Sequence, residues 1–181
     1  MISNNLIFDS GYLEVDKIHK IYYEQFGNPT GKPILFLHGG PGAGFSDFHK
    51  NFFDKNKYRV IFVDQRGSGK SKPYAETKKN NTQELLNDLE LIRKYLKIGK
   101  WLIFGGSWGS TLALSYGINF PDNCSGFFLR GVFLGTKEEI NWFLYDMKKF
   151  FPEAYSKFVN NIPLYQRKNI LSWFNKELKS K

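Results

Sequence analysis

The stretch Trp101-Leu-Ile-Phe-Gly-Gly-Ser-Trp-Gly-Ser-Thr-Leu-Ala-Leu114 decides how this chain reads. A short apolar run suited to a buried strand leads into Gly105-x-Ser107-x-Gly109, and a helix-compatible segment follows at once. That is the layout of a nucleophile elbow. A serine hydroxyl is a poor nucleophile until a sharp strand-to-helix turn lifts it into a cleft, where a base takes its proton and backbone N–H groups meet the oxyanion. Glycines on either side let the backbone fold that tightly. The competing account of the same five residues is a glycine-rich turn whose serine caps the next helix. At an average glycine usage of about 7%, the pentapeptide arises by chance in roughly one chain in twenty of this length, so the surrounding sequence has to decide.

Upstream, Gly11–Val15 and Lys17–Phe26 alternate loosely in polarity and are rich in β-branched and aromatic residues, which predicts an opening antiparallel pair. Two continuous apolar runs, Ile34–Leu37 and Arg59–Val63, suit buried central strands. Between them, residues 45–57 have weak helical character, and residues 72–80 read as loop. Leu85, Leu89, Ile92 and Leu96 recur at helical spacing over residues 82–98, with Asn81 or Thr82 as cap and Gly99 as stop. Downstream of the elbow, residues 111–118 continue its helix and Ser125–Leu134 is one more strand. From Lys137 the pattern changes to three amphipathic helices, over residues 137–151, 152–162 and 165–178. Strands alternating with helices predict an α/β protein with a mostly parallel sheet, whose ligands gather at the carboxyl ends of the strands.

Composition narrows the function classes. The chain has 181 residues, 41% hydrophobic and 18% aromatic, as a globular domain requires. Its formal charge of +9 comes mostly from lysines scattered along the chain, with no basic stripe interleaved with aromatics, so no nucleic-acid partner is expected. A single cysteine, Cys124, precludes an internal disulfide, residues 1–10 lack the pattern of a signal peptide, and no apolar run is long enough to span a bilayer. The expectation is a cytoplasmic protein without a membrane partner. Gly67-Ser-Gly-Lys-Ser71 ends like a phosphate-binding loop, but Asp64 stands where that motif needs glycine. Gly40-Pro-Gly42-Ala-Gly44 approaches a dinucleotide fingerprint, with its third glycine one residue early and no clear helix behind it. No cofactor and no metal is expected.

His38-Gly-Gly-Pro-Gly42, placed after a buried strand, reads better as an oxyanion loop. Small residues there let a backbone N–H, that of Gly40, point into the cleft beside the N–H of Trp108. His38 opens the glycine turn and is read as fixing that loop. This motif, with Asp64-Gln-Arg-Gly-Ser-Gly-Lys-Ser71, Gly105–Leu114 and Leu129-Arg-Gly-Val-Phe-Leu134, resembles the prolyl iminopeptidases, α/β-hydrolases that release N-terminal proline from peptides. Phe151-Pro152 and Ile162-Pro163 with Arg167 resemble the first part of that family's helical cap.

The resemblance implies Ser107 as nucleophile, Gly40 and Trp108 as oxyanion N–H donors, and Asp64 and Arg66 as supports of the neighbouring loop. It implies a core over residues 1–135 and the beginning of a cap over 136–181. In this fold the triad acid and histidine follow the serine, yet His19, His38 and His49 all precede Ser107. Asp122 and Asp146 follow it, in a turn and on a cap helix, and read as surface charges. The expectation is therefore an incomplete α/β-hydrolase sheet, mostly parallel, with the start of a helical cap. Such a chain would cleave a peptide with N-terminal proline only when a complementing C-terminal polypeptide supplies the missing Asp and His. The alternative is a catalytically inactive fragment or an interaction module.

Overall fold

The computed structural model describes residues 6–179. Six strands form one sheet: β1 (Ile7–Glu14), β2 (Lys20–Gly27), β3 (Lys32–Leu37), β4 (Tyr58–Val63), β5 (Trp101–Gly106) and β6 (Cys124–Arg130), in the order β1-β2-β4-β3-β5-β6. The pairs β3–β4, β3–β5 and β5–β6 are parallel, while β1–β2 and β2–β4 are antiparallel. The mostly parallel α/β sheet is as the sequence predicts. The expected opening pair is β1 and β2, with β1 starting at Ile7 rather than Gly11.

Register sorts the side chains onto two faces. Leu35 lies beside Ile61 and Ile103, and Phe36 beside Phe62 and Phe104, so the aliphatic and aromatic residues of each strand point opposite ways. On one face Leu35, Leu37, Ile61 and Ile103 pack with α1 (Thr82–Tyr95) and α2 (Trp108–Asn119) through Leu86, Leu89, Ile92, Leu112 and Tyr116. Trp101 is fully buried in that layer. On the other face Phe26, Phe36, Phe62 and Phe104 meet Phe45 and Phe53, from the segment around a short 3-10 stretch, Asp47–Phe52. That stretch is the weakly helical region between the two apolar runs.

Helix α1 begins where the sequence places it, with the Asn81 side chain accepting the Glu84 N–H at 3.1 Å. Such a cap contributes about 1 kcal/mol. Its end differs from expectation: the left-handed residue is Lys97 (φ 55°), not Gly99. Arg93, held by Glu90 at 2.8 Å, gathers the carbonyls of Ile98 at 2.7 Å and Gly99 at 2.9 Å, and this closes the turn early. Strand β6 likewise stops at Arg130 rather than Leu134. Gly131 turns the chain (φ 50°), and the Phe133 backbone goes to α2 instead of a ladder: its N–H donates to Ser110 Oγ at 3.0 Å and its carbonyl accepts from Thr111 Oγ1 at 2.5 Å.

Backbone contacts divide the chain into two compact units, Met1–Leu134 and Gly135–Lys181. The second holds α3 (Lys137–Asn141), α4 (Pro152–Val159) and α5 (Ile170–Lys179) around buried Leu144, Val159, Ile162 and Ile170. Residues 137–151, expected as one helix, break after α3 into a π turn (Trp142–Asp146) and a 3-10 turn (Met147–Lys149). Leu144 is buried there while Trp142 and Phe143 stay exposed, so the stretch presents no continuous apolar stripe. Tyr145 ties this unit to itself, its hydroxyl donating to the Lys168 carbonyl at 2.9 Å and accepting the Ile170 N–H at 3.2 Å.

Candidate active site

The turn between β5 and α2 is built from close backbone approaches. A Cβ on Gly105 would strike the Gly109 carbonyl, and one on Gly109 would strike the Leu37 carbonyl at the end of β3. Only glycine lets α2 start directly on the sheet. Ser107 sits at the apex with φ 54° and ψ −125°, a conformation an L-residue keeps only when its surroundings enforce it. The enforcement is visible: its N–H donates to the Arg130 carbonyl at 3.1 Å, and its own carbonyl accepts the Ser110 N–H at 2.8 Å and hydroxyl at 2.6 Å. The side chain is left exposed, and Ser107 Oγ makes no hydrogen bond with any described residue.

The glycine loop after β3 meets this apex. Gly39 packs against it, at a distance where an added Cβ would lie 3.4 Å from Ser107 Cβ and 3.9 Å from Oγ. Gly40 follows at the exposed tip (φ 123°), with a cis bond to Pro41. Neither the Gly40 nor the Trp108 backbone N–H donates to a described residue. His38 fixes the loop, as the sequence suggests. Its Nε2 accepts the Gln65 N–H at 3.0 Å and its Nδ1–H donates to the Gly39 carbonyl at 2.8 Å, so both ring nitrogens are engaged. Burial lowers its pKa below the ordinary 6.5, against the opposing pull of the Gly39 carbonyl and Asp64. Gln65 then bridges the two halves: Nε2 donates to the His38 carbonyl at 3.0 Å, and Oε1 accepts Trp108 Nε1–H at 2.9 Å.

The loop after β4 is held by the two residues expected to support it. Asp64 accepts the N–H groups of Phe45 at 2.9 Å and Lys70 at 2.7 Å. Buried Arg66 makes a two-pronged pair with Asp88 on α1, at 2.6 and 2.7 Å, and reaches Asp16 at 3.0 Å. Asp122 lies exposed in a short turn, and Asp146 is paired with Lys149 at 2.9 Å on the second unit's surface. Among the described residues no three His, Cys, Asp or Glu side chains are grouped to hold a metal ion. No helix among them is long and apolar enough to cross a membrane.

Ser107 opens on a cavity of about 180 Å³ whose walls include Phe36, Gly39, His49, Phe104 and Arg130. Gly40 and Trp108 do not line this cavity. His49 and Arg130 are wall residues that motif reading missed. Arg130 was legible in principle, since it ends the strand next to the elbow, where ligand sites of such sheets form. His49 carries no such signal, because it arrives on the irregular 3-10 stretch. Its Nδ1 accepts the Ser46 N–H at 2.9 Å, which leaves the proton on Nε2. Burial lowers its pKa, aided by Arg130 and opposed by the Ser46 contact, so the ring is neutral at pH 7.

The family described as the alpha/beta hydrolase fold matches residues 32–176. This chain belongs to that family. Across 96% of its length the hydrolase-fold chain is 47% identical to the probable proline iminopeptidase of Leptolyngbya boryana and 46% identical to the proline iminopeptidase of Arabidopsis thaliana. It covers 54% and 46% of those proteins, and so spans about half the length of the curated relatives it matches. Among solved structures, a proline iminopeptidase-related protein of Thermus thermophilus superposes with a TM-score of 0.58 at 28% identity, over 67% of this chain and 43% of that one. A Vigna radiata epoxide hydrolase mutant gives a TM-score of 0.63 at 20% identity, covering 78% of this chain and 46% of its own, a likeness of fold alone.

Proposed function

We propose that this chain carries the nucleophile and the anion cradle of a serine-type prolyl aminopeptidase. The observation that carries the reading is Ser107 itself, held at φ 54° on a strand-to-helix turn with its hydroxyl free of any described partner, while the N–H groups of Trp108 and Gly40 donate to no described residue. Ser107 Oγ attacks the carbonyl carbon of a peptide's N-terminal proline, and a base takes the hydroxyl proton. The Gly40 and Trp108 N–H groups hold the oxyanion, each such donor contributing about 10²-fold to 10³-fold in rate. The C–N bond then breaks, the leaving amine takes the proton back, and water cleaves the acyl-serine to free proline. Residues 1–135 are on this reading the first part of the hydrolase core, and 136–181 the beginning of its cap. Single, half-buried Cys124 accords with a cytoplasmic setting.

The base is the part these residues do not provide. No histidine follows Ser107, and both nitrogens of His38 are occupied. We assign the triad aspartate and histidine to sequence outside the 181 residues, whether continuous with it or on a second polypeptide. Loss of such a base costs about 10⁶ in turnover in a serine protease, so the 181 residues alone should be nearly silent. The test is co-expression with the remaining half of the Leptolyngbya boryana relative. Cleavage of proline 4-nitroanilide should appear with the partner, be absent without it, and vanish in Ser107→Ala. Turnover that survives Ser107→Ala, or no turnover from the reconstituted pair, overturns the assignment.

A further inference from the structure

Resting on that reading of Ser107 and its two anion donors, we propose that Gln65 is a positioning residue of the reaction. Its carboxamide sets the gap between the Gly40 and Trp108 N–H groups, and so the fit of the cradle to the oxyanion. The donors sit on separate elements, Gly40 on the loop after β3 and Trp108 at the start of α2. Gln65 comes from a third, the loop after β4, and in the sheet β3 lies between β4 and β5. Its Nε2 donates to the His38 carbonyl just past the end of β3 at 3.0 Å, and its Oε1 accepts Trp108 Nε1–H at 2.9 Å. One buried side chain, 4% exposed, thus holds both carriers of the cradle at once.

The chemistry of the two ends explains why the residue is glutamine. A carbonyl needs a donor and an indole N–H needs an acceptor, and a primary amide offers one of each on a single rigid plane. Glutamate would present acceptors to both, and lysine donors to both. Two strand spacings of about 4.8 Å separate β4 from β5, a span that the Gln65 and Trp108 side chains close from either side and that asparagine, one methylene shorter, does not. The hold extends to Gly40 by a short relay. The Gln65 backbone N–H donates to His38 Nε2 at 3.0 Å, which leaves the proton on Nδ1, and that N–H donates to the Gly39 carbonyl at 2.8 Å. The Gly39–Gly40 peptide is trans, so its N–H points opposite to its carbonyl. The Gly40 N–H is thereby turned away from the His38 ring. A misplacement of about 1 Å in such a constellation can cost on the order of 10²-fold in rate.

The reconstituted pair tests this with pyrrolidine-2-boronic acid, which copies the tetrahedral intermediate. Ser107 Oγ adds to its boron, the serine proton passes to the base, and a boron-bound hydroxyl takes the place of the oxyanion. Gln65→Met and Gln65→Asn should each raise the boronate Ki at least about tenfold and lower kcat for proline 4-nitroanilide by a similar factor, with KM held within about twofold. Ki and KM read only the molecules that turn over, so a partly unfolded preparation does not mimic the effect. Trp108→Phe keeps the backbone N–H and removes only the indole donor. Combined with Gln65→Met it should cost no more than Gln65→Met alone, because the two side chains act as one clamp. A boronate Ki that moves less than about tenfold, a KM that rises alongside it, or single effects that multiply in the double variant overturns the proposal. A parent pair without turnover, or activity that survives Ser107→Ala, removes instead the reading of Ser107 on which the cradle rests, so the two failures are told apart.

Discussion

Gly109 occupies the tightest spot at the elbow, where any side chain would press on the Leu37 carbonyl. Overpacking of this kind typically costs about 1–3 kcal/mol, and here the obstacle is backbone, which has little room to give. Gly109→Ala should therefore lower the unfolding free energy measured by urea titration by that amount, whereas Gly99→Ala, with nothing within 4 Å of the new methyl, should leave it unchanged. Equal effects of the two substitutions would show that the approach of α2 to β3 is not what the glycine serves. At this scale the sequence was a good guide. Ser107, Gly105 and Gly109 are legible because one pentapeptide reports a local backbone shape. Gly39 was not separable from Gly40, because which glycine of a run faces the serine depends on how the loop after β3 lies against the elbow, a long-range fact.

The loops after β3 and β4 form one assembly through His38, and its protonation state should be felt in stability. In the unfolded chain this imidazole takes up a proton near pH 6.5, while burial holds its folded pKa lower. Between those values the unfolded state binds more protons, so stability rises with pH. The contribution is complete above about pH 6.5 and is lost as pH falls through the folded pKa. His49 shifts the same way but is less buried, so its share is smaller. Urea midpoints should fall between about pH 7 and pH 5. His38→Asn should be weaker at the start and lose less over the interval; parallel curves would remove His38 as the source. Elements were legible wherever their own period decided them, as in α1 and the central strands. Their ends were not: Lys97 closes α1 because Arg93 collects carbonyls, and β6 stops at Arg130 because Ser110 and Thr111 claim Phe133. Residues 137–151 failed as one helix because a π turn breaks their repeat.

The first unit has two unlike sides. Helices α1 and α2 seal one face of the sheet with aliphatic contacts, while the other carries exposed Phe48, Phe52 and Phe128, with Phe128 stacked on Phe104 at 4.9 Å. Phe128 also belongs to β6, whose outer edge pairs with no strand among the described residues. An open edge with apolar side chains invites association. The 181-residue chain should form concentration-dependent oligomers in sedimentation velocity, and Phe128→Lys should shift it toward monomer. A chain that stays monomeric, or oligomers untouched by the lysine, would place the contact elsewhere. The unequal faces also bear on what calorimetry would see. Whatever comes to lie over those rings withdraws apolar surface from water, so its arrival should register as a negative heat-capacity change, with a binding enthalpy that grows more favourable on warming.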